Sequence, residues 1–546
     1  MPRPTVDYSL YYVTGRALLP TPPPTAADNA SAPGSTAHDG EYYLEHLEQA
    51  LKGGVTVVQI REKDVDGGDF FEIARRSKEV CDRYNVPLFI NDRLDIALLL
   101  SCHLHVGQSD LPYPLARQLL GPDRLLGVSV NTPAEMREIL SPERKGMVDY
   151  VGIGPCFGTQ TKKNLNPIVG PRGVRDVLQV LGDSEIKAVV IGGITPETIP
   201  NVLAQTPAPI STASSSSLRY RTLDGLAVVS SIAASPTPDL AARELRRLFD
   251  ERPRFEAQSL WTSPGRASLT AEEVVRVTAE LVRLLRSEEK KPLVHHITNT
   301  VVQNDCANLT LALSASPIMS ASVTEAPALS ALISCLLLNL GTITEPVLEA
   351  QKVAGREARR QGKPIVFDPV GVGATDFRKK SASDLLNTCH VSIIKGNAGE
   401  IGALAGLSEV QSRGVDSVGK GFKDPVTVVK TLAAREKVVV GMSGEVDYIS
   451  DGACTFAIEN GSDWQGKITG SGCMASSAVA VFAGLAHDTG ALVATVAGLV
   501  AINVAAELAA ARPSVQGPNT FRSALIDECY NLTPEAILKR ARVREV

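Results

Sequence analysis

The chain reads as an α/β protein of two units: a closed (β/α)8 barrel in the N-terminal half, then an open α/β sheet flanked by helices. Three observations carry that reading. Its 546 residues exceed what one hydrophobic core organises, yet they fit two large α/β domains, since an α/β barrel takes about 250 residues as a single unit. Short β-branched runs alternate with amphipathic helical segments, the pattern of parallel βαβ units. The composition, 44% hydrophobic and 21% charged, is that of a folded protein and excludes collagen, wholesale disorder and a disulfide scaffold.

Eight strand candidates occupy the first 232 residues: YSLYYVTG (8–15), VTVVQIREK (55–63), VPLFIND (86–92), HLHVGQSD (103–110), LLGVSV (125–130), YVGIGPC (150–156), KAVVIGGI (187–194) and LAVVSSI (226–232). Segments such as EYYLEHLEQALKGG and DFFEIARRSKEVCDRYN supply the intervening helices. Functional groups in such a barrel sit beyond the C-terminal strand ends, where the polar clusters lie. Two Pro/Ala/Ser-rich stretches, 18–40 and 205–222, read as insertions that bury too little apolar surface to fold alone.

The expected domains are 1–238 and 271–546, with 239–270 as a linker. The second unit opens on the amphipathic helix TAEEVVRVTAELVRLLRS, and its strands are PLVHHITNT, CLLLNLG, PIVFDPVG, VSIIKGN and KVVVGMSG. Ala-rich helices near 473–486 and 491–511 follow. The second of these is long enough to span a bilayer, but its Asn503 and Glu507 point to a helix inside a soluble domain. No fixed repeat is present, which excludes a solenoid.

Charge and thiols narrow the function. Fifty-five basic against sixty acidic residues give a net charge of −5, which argues against nucleic-acid binding through bulk charge and leaves room for a local anion site. Nine scattered cysteines without a CxxC suggest reduced thiols in the cytoplasm. The N-terminal residues have no apolar core of the kind a secretory signal needs.

In the barrel half, Gln59, Arg61 and Lys63 alternate onto one side of the second strand exit and offer two cations and an amide to a phosphate or diphosphate. The plainer alternative is a solvated, salt-bridged strand end. Strand three ends Asn91-Asp92 and strand four ends with Asp110. The two carboxylates, together with a diphosphate, form an oxygen cage suited to Mg2+, unless they serve only as helix caps. Ser129 ends strand five, and Thr159, Thr161 and Lys162 lie on the following glycine-containing loop. Gly193 and Val229-Ser230 end strands seven and eight, where barrels commonly hold a monophosphate.

The ordered set QIREK, IND, HVGQSD, GVS, GP…TQTK, GGI and VVS resembles thiamine phosphate synthase over residues 8–232. The resemblance implies a TIM barrel that joins a pyrimidine methyl diphosphate to a thiazole phosphate and releases diphosphate. It implies that Arg61, Lys63, Asn91, Ser129 and Lys162 hold the diphosphate, with Gln59 beside the pyrimidine. Asp92 and Asp110 would bind Mg2+, and Thr159, Thr161, Gly193, Val229 and Ser230 would surround the thiazole phosphate.

In the second half, Gly470-Ser471-Gly472-Cys473 opens a helix, a place for phosphate oxygens and for a thiolate at Cys473. Close helix packing with a buried cysteine is the alternative. Asp368 and Glu400 offer Mg2+ ligands, direct or through water, or else caps, and Lys395 offers a phosphate contact. HITNTVVQND, ASPIMS, FDPVGVGAT, IIKGNAGEI and GSGC together resemble hydroxyethylthiazole kinase over about 291–511, continuing less distinctly beyond. That resemblance implies a ribokinase-like fold and ATP as co-substrate. It puts Met319 and Gly470 at the thiazole alcohol, Lys395 and Ser443 at ATP, and Cys473 at the position of the general base. Taken alone, Met319 reads as core filling.

The two resemblances reinforce each other, because the kinase product is a synthase substrate. They imply a bifunctional thiamine-biosynthesis enzyme of the fungal kind that binds neither nucleic acid nor membrane. They also imply a homo-oligomer built on kinase trimers, with a hexamer as a larger form. The competing readings are a chain with one active domain, and a sensor or scaffold that binds the same ligands without turnover.

Overall fold

A computed structural model describes residues 4–21, 36–63, 65–159, 167–210, 219–251, 269–287, 291–407, 411–413, 416–418, 422–485 and 490–546. The chain divides into two compact units, Met1–Ala257 and Gln258–Val546.

Strands β1 (Leu10–Val13), β2 (Val57–Ile60), β3 (Leu88–Asn91), β4 (His103–Val106), β5 (Leu126–Val130), β6 (Tyr150–Ile153) and β7 (Lys187–Ile191) precede a short antiparallel pair, β8 (Ala208–Ile210) and β9 (Arg219–Arg221), and then β10 (Gly225–Val228). The eight longer-range strands are parallel and close into a barrel, with β1 paired to both β2 and β10. All eight expected strands are present. Alternation along each strand builds two cores. Val58, Ile60, Leu104, Val128 and Val151 face the helices, whereas Tyr8, Tyr11, Phe89 and Tyr150 fill the lumen. Gly127 makes room for one of these rings, since a Cβ there would lie 2.1 Å from Tyr150 Cε1.

Three details depart from the expectation. The 18–40 insertion ends in helix, because Thr36–Lys52 is one continuous α-helix. The 205–222 stretch contributes the β8–β9 pair, and Ala208 and Ile210 are buried. Part of the expected 239–270 linker belongs to the barrel. The helix Pro238–Asp250 opens with proline in its first turn and buries Ala242, Leu245 and Phe249 in the barrel's outer core. Its apolar residues three to four apart outweigh the Pro punctuation before it.

In the second unit, β11 (Leu293–Ile297), β12 (Ser316–Ile318), β13 (Cys335–Asn339), β14 (Ile365–Asp368) and β15 (Ile393–Asn397) are followed by a two-stranded ribbon, β16 (Gln411–Arg413) with β17 (Asp416–Val418). Then come β18 (Val439–Ser443), β19 (Asp447–Ser450), β20 (Thr455–Ile458) and β21 (Val543–Glu545). The main sheet runs β12-β11-β13-β14-β15-β18-β19-β20-β21. Its first six strands are parallel and its last three antiparallel, an open, mixed sheet flanked by helices as expected.

The helix Ala491–Ala510 is buried inside this unit. Asn503 and Glu507 are satisfied there. Asn503 donates to Asp447 Oδ2 at 2.8 Å and accepts from Gln465, and Glu507 accepts from Asn460 and Arg542.

Candidate active sites

At the barrel mouth the strand-two exit divides as its alternation requires. Glu62 turns outward to pair with Arg16 at 3.0 Å, while Gln59, Arg61 and Lys63 stay on the other side. Lys63 Nζ reaches Asp92 Oδ2 at 3.1 Å. The Arg61 guanidinium makes no ion pair among the described residues. A placed cation without an internal counter-charge suits an anionic ligand.

Asp92 and Asp110 are not side-chain helix caps. The helix after Asp92 is capped at Arg93 and the one after Asp110 at Pro112, in both cases without a side-chain bond. Asp110 instead closes its own loop by accepting from Gly107 N at 2.7 Å. The two carboxyls lie close enough to share a proton: burial and then Asp110 raise Asp92 to about 6, while the bond to Asp92 and the Gly107 N–H hold Asp110 down. Asp92 Oδ1 is buried with no hydrogen-bond partner. An orphaned buried acceptor beside a second carboxylate is a costly arrangement unless a proton or cation fills it, and it fits Mg2+ completed by ligand oxygens.

Below this mouth runs a buried chain of hydrogen bonds that the sequence reading did not identify. Gln59 Nε2 donates to the Tyr11 hydroxyl at 2.9 Å, and Tyr11 meets the Tyr150 hydroxyl at 2.6 Å. Tyr150 meets His105 Nδ1 at 2.7 Å, and His105 Nε2 meets Ser129 Oγ at 3.0 Å. Burial pushes His105 down to about 4 and Tyr150 well above the usual phenol value, so both are neutral. His105 stands in the HVGQSD motif and Tyr150 just before GIGPC, but as isolated letters they read as core.

Asn91 is buried on β3 at the register position of His105. Gly193 has φ +63°, and a Cβ there would meet Phe157 Cβ at 2.7 Å, so glycine is required where this loop packs on the one after β6. Val229 precedes the short helix Ser230–Ala233, and Ser231 Oγ donates to Ile194 O at 2.6 Å, tying the last two exit loops together. Thr159 is described and half-buried; Thr161 and Lys162 lie outside the described residues.

In the second unit, hydrogen bonds join most of the expected residues. Asp368 Oδ2 accepts from Asn339 Nδ2 and from Ser476 Oγ, each at 2.8 Å. Asn339 Nδ2 also points to Cys473 Sγ at 3.3 Å, and Asn299 Nδ2 does so at 3.5 Å. Lys395, 2% exposed, donates to Gly472 O at 2.9 Å. Ser443 Oγ donates to Gly396 O at 3.3 Å. Gly470 has φ +81°, and a Cβ would fall 2.1 Å from Val302 Cγ1. Met319 is half-buried on the core cluster that also holds Val302 and Cys473. Asn299, Asn339 and Ser476 were missed, although each sits in or beside a quoted motif; an asparagine ending the apolar run CLLLN was the available signal.

Two expectations change here. Cys473 lies in the first turn of the helix Ser471–Leu485, but burial and then the Asp368 charge raise its pKa well above the usual thiol value. The resting group is therefore a thiol, because desolvation outweighs the helix end. Glu400 is a capping-box residue: Oε2 accepts from Asn397 N at 2.8 Å and Oε1 from Gly371 N at 3.0 Å. Burial, then Asp368, raises it to about 7. With both oxygens engaged, Glu400 fits an ion through an intervening water, whereas Asp368 is available for direct contact. Among the described residues no three His, Cys, Asp or Glu side chains form a self-sufficient metal cage, so any cation at either site needs oxygens from its ligand.

These geometries can be set beside known proteins. The family model for thiamine monophosphate synthase matches residues 34–232, and that for the hydroxyethylthiazole kinase family matches residues 284–535. The chain is 37% identical over 545 residues to the "Probable thiamine biosynthetic bifunctional enzyme" of Schizosaccharomyces pombe, covering 97% of this chain and 96% of that one. The chain belongs to the thiamine biosynthetic bifunctional enzyme family. Identity to the "Thiamine biosynthetic bifunctional enzyme" of Saccharomyces cerevisiae is also 37%, over 561 residues, again covering 97% and 96% of the two chains. The second unit is 44% identical over 269 residues to "Hydroxyethylthiazole kinase" of Methanoculleus marisnigri, covering 49% of this chain and 94% of that one. The chain thus fuses a TIM-barrel thiamine phosphate synthase unit to a ribokinase-like hydroxyethylthiazole kinase unit.

Proposed function

We propose that the second unit transfers the γ-phosphoryl group of ATP to hydroxyethylthiazole, and that the barrel joins the resulting thiazole phosphate to an aminopyrimidine methyl diphosphate. The products are thiamine phosphate and diphosphate. The observation that carries the synthase reading is the barrel mouth, where Lys63 and the Asp92–Asp110 pair converge around the orphaned Asp92 Oδ1. Arg61, Lys63, Asn91, Ser129 and Lys162 bind the diphosphate, and Gln59 orients the pyrimidine. Thr159, Thr161, Gly193, Val229 and Ser230 hold the thiazole phosphate. Asp92 and Asp110 would hold Mg2+, which would supply neutralisation of the charge on the departing diphosphate. The thiazole nitrogen attacks the pyrimidine methylene carbon as its bond to the diphosphate oxygen breaks, so no protein nucleophile is needed.

In the kinase unit, Lys395 and Ser443 contact ATP and Met319 and Gly470 contact the alcohol, while Asp368, with Glu400 through water, would hold Mg2+. The two asparagine N–H groups that point at Cys473 leave the thiol proton directed at Asp368. The thiol then orients the alcohol rather than waiting as a thiolate, and the hydroxyl proton passes to a γ-phosphate oxygen as the new O–P bond forms and the bond to ADP breaks. Phosphoryl transfer depends mainly on positioning and charge stabilisation, which this arrangement supplies. The nine free cysteines, all but Cys454 buried, support a reducing, cytoplasmic setting. Exposed Val301, Leu311, Val323 and Leu332, on segments around edge strand β12, support self-association of the kinase unit into trimers.

The test incubates pure protein with hydroxyethylthiazole, ATP, Mg2+ and the pyrimidine diphosphate. Thiamine phosphate should form, and omitting ATP should abolish it unless thiazole phosphate is supplied. Ligand binding with no release of ADP or diphosphate would favour the sensor reading.

A further inference from the structure

The chain Gln59–Tyr11–Tyr150–His105–Ser129 crosses the barrel lumen through five strands, β2, β1, β6, β4 and β5. Its two ends are the residues given to the pyrimidine and to the diphosphate, and its three interior members touch neither ligand in the functional reading above. A hydrogen-bond chain of hydroxyls and one neutral imidazole has only two senses, because the ring donates from one nitrogen and accepts at the other. Each hydroxyl passes the sense on to the next.

In the first sense, His105 Nε2–H donates to Ser129 and Nδ1 accepts from Tyr150. Tyr150 then accepts from Tyr11, and Tyr11 accepts from Gln59 Nε2. Gln59 is left with its Oε1 acceptor and one remaining Nε2–H for the ligand, and Ser129 keeps its O–H free to donate. In the reverse sense Ser129 donates inward to His105, and Tyr11 donates to Gln59 Oε1. Gln59 then offers only N–H donors to the ligand, and Ser129 only lone pairs. The observed Gln59 Nε2 contact to Tyr11 belongs to the first sense. Ionised phosphate oxygens only accept, so a serine facing them favours the same one.

We infer that Tyr11, Tyr150 and His105 are positioning residues that lock this sense, so that the group binding the phosphate dictates an acceptor at the ring-binding end. The barrel thereby selects a heterocycle with an exocyclic amino donor over its oxo counterpart. The inference rests on the synthase reading for its ligands, but the sense of the chain is a property of the protein alone. Gly127 belongs to the device, because any side chain there would displace the Tyr150 ring.

The experiment uses the full chain and Tyr150→Phe, which removes the central hydroxyl and leaves the ring to pack. Binding of the aminopyrimidine methyl diphosphate and of its oxo analogue is measured in both proteins. The wild type should prefer the amino compound, and in Tyr150→Phe, where Gln59 turns freely, the preference should shrink by about tenfold or more. Thiazole-phosphate KM and the kinase rate should not move. In parallel, nitrogen NMR of the wild type should show the His105 proton on Nε2. An unchanged amino-to-oxo ratio, or a proton on Nδ1, overturns the inference. If Tyr150→Phe does not fold, Tyr11→Phe breaks the chain one link earlier and is read the same way. A wild type that binds neither diphosphate defeats the synthase reading instead, while the NMR result still decides the sense.

Discussion

Asp92 and Asp110 face each other at the barrel mouth, and while Asp92 is protonated a cation must displace that proton to bind. Asp92 titrates at about 6, so below that pH the proton competes and above it the pair is free. The Mg2+ concentration for half-maximal synthase rate should therefore be flat above about pH 6 and rise roughly tenfold per unit below it. In Asp110→Asn the bend should move to lower pH, since the neighbouring charge that raises Asp92 is gone; a bend that stays near 6 would remove the shared proton from the account. In the other unit Cys473→Ala should lower kinase turnover by about tenfold to a hundredfold, at or below the usual loss for a general base, and leave synthase turnover intact. Unchanged kinase rates would take Cys473 out of the mechanism. The sequence showed which of these residues carry charge. It did not show that Glu400 would spend both oxygens on backbone N–H groups, nor that Tyr11 and Tyr150, from strands far apart in the chain, would meet hydroxyl to hydroxyl. Spacing reveals a strand face, but not which members of two faces touch.

Among elements, the helix Pro238–Asp250 separates sequence from structure most clearly. Proline before and charge around it suggested a connector, yet Leu245 is fully buried. Leu245→Ala should cost the barrel about 2–5 kcal/mol, seen as a lowered synthase-unit unfolding transition, whereas a solvated connector would lose less than about 0.5 kcal/mol. Gly470→Ala tests the opening of the kinase helix. With φ +81° and a Cβ 2.1 Å from Val302, it should cost at least about 1–3 kcal/mol and depress kinase turnover; wild-type stability would show that the loop yields. The eight barrel strands were legible because each is a compact apolar run with a polar exit. Strands β19 to β21 were not, because antiparallel edge strands leave no βαβ spacing to read.

At the scale of the molecule, the proposed sites lie one in each unit, and the compound they share is a small diffusible phosphate. Mixing Asp92→Asn, defective in the barrel, with Asp368→Asn, defective in the kinase, should restore conversion of the thiazole alcohol to thiamine phosphate after a lag. The check is product formation by the mixture when neither variant alone forms any. Failure of the mixture would mean that the intermediate never leaves its own chain.

The buried helix Ala491–Ala510 also bears on how the chain is made. It is apolar over most of its surface and as long as a bilayer is thick, so until it is wrapped it presents a surface that ribosome-bound targeting factors and aggregating chains both recognise. Helices Ala271–Arg286 and Ser471–Leu485 and strands β18 to β20 all contact it and all precede it in the chain. During synthesis it therefore emerges into a groove whose walls already exist, and the helices Pro518–Asn531 and Pro534–Arg540 must still arrive to cover it. A rearranged gene that placed this segment ahead of its partners would encode the same folded contacts, and would expose the ribosome's most membrane-like passenger at the moment nothing was there to receive it.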